Sequence, residues 1–149
     1  MMARMLTVFW SSIGLFISVL FAWASNAKPP QGDSLPFVWR IVPTLCNMEA
    51  GSCGSLLQTK QAKLFGIPNY ILGIVFYLFA LGVAILTPMD PGAIYWALVL
   101  VTTGTVFIGA FLIFSLIFTL RTNCLLCYMT HVVNFLLLAT LILNGILQE

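Results

Sequence analysis

The four cysteines of this chain fall into two pairs whose spacings suit thiol chemistry. Cys124 and Cys127 stand at the start of a long apolar run, in the stretch TNCLLCYMTH. Thr122 or Asn123 can act as the N-cap of a helix here, which places both cysteines in its first turn. Residues three apart on a helix face the same way, so the two sulfurs can be bridged. The N–H groups and positive dipole end of a helix N-terminus stabilise a thiolate, the form of cysteine that attacks disulfides and other electrophiles. A thiolate beside lipid could meet a lipid-soluble oxidant.

The second pair, Cys46 and Cys53, brackets the segment NMEAGS. A short loop with a central glycine closes easily to a disulfide, and a flexible disulfide is readily opened by an attacking thiol. A static staple is the alternative for this pair taken alone. Four thiolates could also bind zinc, yet structural zinc sites usually pair cysteines about two to four residues apart. Together the two pairs favour electron transfer over a metal site.

Composition identifies the surroundings in which this chemistry takes place. With 61% hydrophobic residues, 7% charged residues and a mean hydropathy of +1.08, the chain cannot cover itself with polar side chains as a soluble domain must. Four charge-free stretches are long enough for the roughly 20 apolar residues that cross a bilayer. We therefore predict an all-α integral membrane fold, a four-helix bundle that forms one domain. Its predicted spans are residues 5–27, 69–89, 93–120 and 124–147.

The first span also resembles a signal peptide, because it ends in the small-residue stretch AWASNA. Its apolar core is longer than the roughly 7–15 residues of a typical signal peptide. Arg4 supplies the only charge before that core. We therefore expect this segment to be retained as a helix.

One long polar loop, residues 28–68, joins the first two spans. It begins with KPPQGDSLP, which favours irregular structure. Its last part, SLLQTKQAKLFGIP, predicts a short interfacial helix that presents Leu57 and Leu64 to the membrane and stops at Gly66. With four spans, this loop and the turn at Arg121 lie on the same side. All four cysteines therefore converge on one membrane face.

Two arguments about the compartment of that face oppose each other. Five of the six Lys and Arg residues fall on the cysteine side, so the positive-inside rule alone places the cysteines in the cytoplasm. Disulfides persist in oxidising compartments, which favours the outer face. Lys60 and Lys63 belong to the interfacial segment and can extend to lipid headgroups, which gives their charges a local purpose. We predict that the cysteines lie on the outer face of the cell membrane.

His131, the only histidine, lies one helical turn beyond Cys127 on the same face. As an imidazolium it could stabilise a thiolate, and as a neutral ring it could hydrogen-bond a carbonyl of a bound ring. A hydrogen bond to a neighbouring helix is the alternative. A transporter usually carries charged residues within its spans, and these spans have no Asp, Glu, Lys or Arg between their ends. The spacing Thr105-x-x-x-Gly109 predicts close helix packing and no more.

The order of these features resembles the vitamin K epoxide reductase family. A loop cysteine pair precedes LLQTKQAKLFGIPNYILG, and a CxxC motif follows at the start of the last helix, so the resemblance spans about Cys46 to His131. Disulfide bond formation protein B, another quinone-linked membrane family, has its CxxC in the first loop instead. The resemblance implies a four-helix bundle around a quinone, capped by the loop and its short helix.

The resemblance also implies a role for each cysteine. Cys124 and Cys127 match the active-site pair, with Cys127 next to the quinone. Cys46 and Cys53 would carry electrons inward, and Cys53 would exchange with Cys124. The protein would then oxidise a protein dithiol by a relay that ends in quinol.

Further positions match the quinone pocket of the family. Asn69 matches an asparagine that hydrogen-bonds a quinone oxygen. Two positions depart from the pattern, because Thr59 stands where the family usually has serine and His131 where animal members have tyrosine. The full set of implied quinone-binding residues is Asn69, His131, Thr59, Leu57, Leu72, Phe76 and Tyr77.

The implied partners follow from the compact FGIPN version of the loop, which is similar to bacterial and archaeal members. Many of those are fused to a thioredoxin-like domain. Because the chain stops at Glu149, we expect that partner to be a separate thioredoxin-like dithiol protein. The acceptor would be a membrane quinone of the ubiquinone, menaquinone or vitamin K type. The expected cellular location is a bacterial or archaeal cell membrane. Neither a metal nor a nucleic acid is expected to bind.

Two other functions stay open at this point. An epoxide or quinone reductase of the vitamin K type would use the same cysteines with a different acceptor. A membrane protein with a structural disulfide or a four-thiolate metal site would use them without turnover.

Overall fold

The computed structural model describes residues 2–26, 63–64, 66–87, 91–120 and 124–147, in which four helices are long and apolar enough to cross a membrane. The predicted membrane fold of four helices is confirmed. The helices, numbered α1 to α4 in chain order, are Met2–Asn26, Asn69–Leu86, Ala93–Ser115 and Leu125–Leu147. The third is extended by a π-helical segment, Leu116–Leu120.

The end of α2 comes earlier than the hydropathy pattern predicts, at Leu86 rather than residue 89. The next residue, Thr87, has extended backbone angles of φ −118° and ψ 150°. Pro88 follows it in the sequence. Because the proline ring disfavours helical angles in the residue before it, the helix stops there although the apolar sequence continues.

Hydrogen bonds between helices show the relative direction of neighbouring helices. At the start of α1, the Arg4 guanidinium donates from Nε to the Ala84 carbonyl at 2.7 Å and from Nη2 to the Ile85 carbonyl at 2.6 Å. These carbonyls belong to the last turn of α2, where a cation also complements the helix dipole. At the start of α3, the Tyr95 hydroxyl donates to the Leu141 carbonyl near the end of α4. Both helix pairs are therefore antiparallel.

A third hydrogen bond joins α2 to α4 in the interior. The Tyr77 hydroxyl donates to Asn134 Oδ1 at 2.6 Å. At about 1.5 Å per residue, each side chain lies about 12–15 Å from the N-terminus of its own helix. Successive spans cross a bilayer in opposite directions, so α2 and α4 run the same way and their N-termini lie at the same end of the bundle. Asn69 and Cys127, in the first turns of these helices, share that end.

Small and polar residues make up the inner face of α1. Thr7, Ser11 and Ser18 are buried, and Gly14 lies among them at helical spacing. A Cβ at Gly14 would overlap the aromatic ring of Tyr77. Lipid tails are as apolar as leucine, so helices associate in a bilayer through close backbone approach and polar contacts, which small residues allow. Some large apolar side chains of the helix, such as Phe16, face outward, whereas Ile17 is buried in the core.

The segment before α2 forms a small hairpin. Strand β1, Lys63–Leu64, pairs antiparallel with β2, Ile67–Pro68. Gly66 between them has a φ of +83°, a left-handed angle that costs glycine little. The prediction that the interfacial helix continues through Leu64 is therefore wrong at its end, because this turn reverses the chain. The earlier part of that predicted helix, from Ser55, lies outside the described residues.

We predict that Gly14→Ala destabilises the bundle. The added methyl would overlap the Tyr77 ring, and relief requires the α1–α2 interface to open at a cost of about 1–3 kcal/mol. Thermal unfolding of the purified protein in detergent should show a melting temperature lower by several degrees.

Gly82→Ala is the matched control, because Gly82 is inside α2 and a Cβ there meets no atom within 4 Å. That variant should melt at or above the wild-type temperature, since alanine is the better helix former. Equal stability of the two variants would contradict the close contact at Gly14.

Candidate functional site

The CxxC motif lies at the N-terminus of α4. The Cys124 carbonyl accepts a hydrogen bond from the Tyr128 N–H at 3.2 Å, the first such bond of the helix. Cys124 is therefore the N-cap residue, and the prediction that it lies in the first turn is wrong by one position. Thr122 and Asn123, the predicted caps, lie outside the described residues. Cys127 is in the first turn, where helix N–H groups favour a thiolate.

The two cysteines of this motif differ in redox state. Cys124 is fully buried and is disulfide-bonded. Cys127 is half-buried and is a thiol. The bond at Cys124 therefore does not join the two sulfurs of the motif. In this state Cys127 is the cysteine that can ionise and react, because a sulfur in a disulfide has no proton to lose.

His131 lies one turn deeper on α4 and packs against α3. Its ring is half-buried and lies on Gly109, where a Cβ would overlap Nδ1. Nδ1 is buried and has no hydrogen-bond partner within the described ranges. The ring is therefore held on α3 by close packing and not by a hydrogen bond from Nδ1. Gly109 of the Thr105-x-x-x-Gly109 motif makes a close helix contact, as predicted, whereas the Thr105 hydroxyl donates to the Thr102 carbonyl of its own helix.

The predicted quinone-binding residues of α2 lie on two different faces. Asn69, Leu72 and Phe76 are spaced three and four apart and share one face of the helix. Asn69 and Leu72 are half-buried and Phe76 is buried. Tyr77 is turned by about 100° from Phe76 and is 1% exposed, with its hydroxyl bonded to Asn134. Contact of these four residues with a quinone stays a prediction.

The remaining predicted site residues belong to the loop. Cys46, Cys53, Leu57 and Thr59 lie outside the described residues. Of the predicted site, the structure thus describes the parts on α2 and α4. Asn69 on α2 and Cys127 on α4 lie in the first turns of their helices, and convergence of all four cysteines on one face stays a prediction.

Two residues of this region are absent from the sequence-based prediction. Asn134, three residues beyond His131, carries the acceptor that orients Tyr77. The available signal for Asn134 is an uncharged amide in a largely apolar span. The spacing Thr105-x-x-x-Gly109 predicts a close helix contact at Gly109, but it does not reveal that the neighbouring side chain is His131 of α4.

One comparison with known proteins bears on this arrangement. The family model described as Vitamin K epoxide reductase family matches residues 5–142 of the 149-residue chain. The match includes the CxxC motif, most of α1 and α4, and the whole of α2 and α3.

We predict that the two cysteines of the motif respond differently to thiol labelling. The protein is purified without reductant and then denatured in the presence of N-ethylmaleimide, and Cys127 should react with this first label. After reduction, Cys124 should take a second label, iodoacetamide, because it was held in a disulfide. Mass spectrometry of the peptide that contains both cysteines distinguishes the labels.

Protein reduced before the first label serves as the control, and both cysteines should then carry N-ethylmaleimide. A peptide from the untreated sample with a disulfide between Cys124 and Cys127 would contradict the assignment.

Proposed function

The chain belongs to the vitamin K epoxide reductase family, and we propose that it is a thiol oxidase that passes electrons from a thioredoxin-like protein to a membrane quinone. Membership makes it a membrane redox enzyme of the vitamin K epoxide reductase type. The observation that carries the finer proposal is the divided redox state of the CxxC motif. Cys124 is in a disulfide while Cys127 is a thiol.

We take the disulfide partner of Cys124 to be Cys53. The chain has four cysteines, Cys127 is a thiol, and the resemblance implies exchange between Cys53 and Cys124. A mixed disulfide of this kind is the intermediate that forms when a loop thiolate attacks Cys124 and expels Cys127. The state of the described motif, with Cys124 in a disulfide and Cys127 as a thiol, supports this relay.

The full relay balances in three exchanges. A reduced partner dithiol attacks the Cys46–Cys53 disulfide, which leaves the partner oxidised and the loop reduced. Cys53 then attacks Cys124 of the Cys124–Cys127 disulfide, and Cys46 resolves the mixed disulfide, which leaves the motif reduced. Finally the motif passes two electrons and two protons to the quinone and closes its own disulfide. The net change converts a protein dithiol and a quinone into a protein disulfide and a quinol.

The end of the bundle that carries Cys127 suits this last exchange. Cys127 and Asn69 occupy the first turns of α4 and α2, whose N-termini lie at the same end. An asparagine amide can donate to one quinone oxygen, and His131 provides a ring nitrogen one turn below Cys127. A quinone of the ubiquinone, menaquinone or vitamin K type would enter from the lipid. Leu57 and Thr59 are proposed to complete the pocket from the loop.

The disulfide at Cys124 also bears on the alternatives. A cysteine binds a metal as a thiolate, and a sulfur in a disulfide has none to offer. This disfavours the four-thiolate site. Because disulfides persist in oxidising compartments, the same observation supports placing the cysteines on the outer face of a cell membrane. Reduction of an epoxide would use the same residues, so only the acceptor distinguishes it.

We predict that quinone reduction by the purified protein depends on both cysteine pairs. With a reduced thioredoxin-like protein as donor and no oxygen present, quinol should form steadily in detergent. Cys127→Ala and Cys46→Ala should each lower the rate by at least about 100-fold, because each removes a nucleophile from the relay. Quinol absorbance measures the rate.

Met129→Ala serves as the matched control, since Met129 is exposed on the same turn of α4 and takes no part in the relay. It should keep a rate close to wild type. Wild-type rates from either cysteine variant would overturn the relay. Turnover of vitamin K epoxide but of no quinone would assign the epoxide reductase function instead.

A further inference from the structure

The imidazole of His131 presents one particular edge to α3. A Cβ at Gly109 would overlap Nδ1 and lie 3.1 Å from Cε1 and 3.2 Å from Cγ. These three atoms form the Nδ1 edge of the ring, so this edge lies on the Gly109 backbone. The opposite edge, which carries Nε2, faces away from Gly109. Only glycine allows the ring this close to α3.

The contact with Gly109 determines which nitrogen can carry a proton. Nδ1 is buried without a hydrogen-bond partner in the described part of the chain. A buried N–H needs an acceptor, and the Gly109 Cα offers none, whereas a lone pair can rest against a C–H group as a weak hydrogen bond. Since a neutral imidazole carries its proton on one nitrogen, that nitrogen is Nε2. The imidazolium is disfavoured for the same reason, because it requires a proton on Nδ1 as well.

We infer that Gly109 is a positioning residue that fixes His131 as a neutral hydrogen-bond donor through Nε2, directed at a carbonyl oxygen of the quinone. The inference rests on the proposed function, since it assigns a role within the same site. As the quinone is reduced, negative charge develops on its oxygens, and a donor already in place stabilises that charge. The hydrogen bond is made through Nε2, and the proton stays on the imidazole.

The tautomer can be measured directly because the chain has one histidine. In protein labelled with ¹⁵N-histidine, NMR should show one protonated and one unprotonated nitrogen. Couplings to the two carbon-bound ring protons should identify the protonated nitrogen as Nε2. Gly109→Ala should displace the ring and yield a mixture of tautomers. Gly104→Ala, five residues earlier on α3 where a Cβ meets no atom within 4 Å, should leave the spectrum unchanged.

Turnover provides a second readout that a merely structural role would not produce. Gly109→Ala should lower kcat/KM for the quinone about tenfold, the loss of one hydrogen bond, while the KM for the reduced protein partner stays unchanged. Gly104→Ala should change neither constant. If Gly109→Ala fails to fold, His131→Leu and His131→Gln still test the donor. His131→Leu should lower kcat/KM for the quinone about tenfold. His131→Gln, which keeps an N–H donor, should have a kcat/KM within about threefold of wild type.

Each outcome bears on a separate claim. A proton on Nδ1 in the wild-type spectrum would overturn the inference whatever the turnover shows. Equal kcat/KM for Gly109→Ala and Gly104→Ala, or for His131→Leu and His131→Gln, would overturn it as well. A wild-type protein that reduces no quinone would defeat the proposed function, and the spectrum would still decide the tautomer.

Discussion

The buried hydrogen bond from the Tyr77 hydroxyl to Asn134 fixes the relative depth of the two helices that carry the site. In a bilayer there is no water to replace a lost partner, so an unpaired polar group in the interior is costly. This one bond therefore favours a single register of α2 against α4. In that register the first turns of the two helices, with Asn69 and Cys127, lie at the same end. Close approach at Gly14 lets α1 pack against the same tyrosine ring.

The chemistry then follows from position along α4. Cys124 caps the helix and is fully buried, so access to its sulfur is limited to groups that the fold brings there. Cys127 lies one turn inside, where the N-terminal N–H groups favour a thiolate. His131 lies one turn further in, against α3. One helix thus carries Cys124, Cys127 and a ring nitrogen of His131 in order of depth, which is the order that the proposed relay from a protein partner to a membrane quinone requires.

The sequence predicts the four spans because the bilayer thickness imposes a length that apolar runs reveal directly. It also predicts that the CxxC begins the last helix, since the charge at Arg121 ends the preceding span. It does not reveal the Lys63–Pro68 hairpin, whose formation depends on the left-handed backbone at Gly66. The sequence also does not show which side chains of different helices contact each other. Asn134 and Gly109 contact residues more than 20 positions away in the sequence, and a hydropathy pattern does not show which distant residues come into contact.

The central claim is that the reduced CxxC motif delivers its electrons directly to a quinone. A single-turnover experiment tests it without any protein partner: fully reduced protein is mixed anaerobically with one equivalent of quinone and then quenched in acid with a thiol label. The account predicts one quinol per protein in wild type and none in Cys127→Ala. Quinol formed by Cys127→Ala at the wild-type rate, or quinone left unreduced by the wild-type protein, would contradict it.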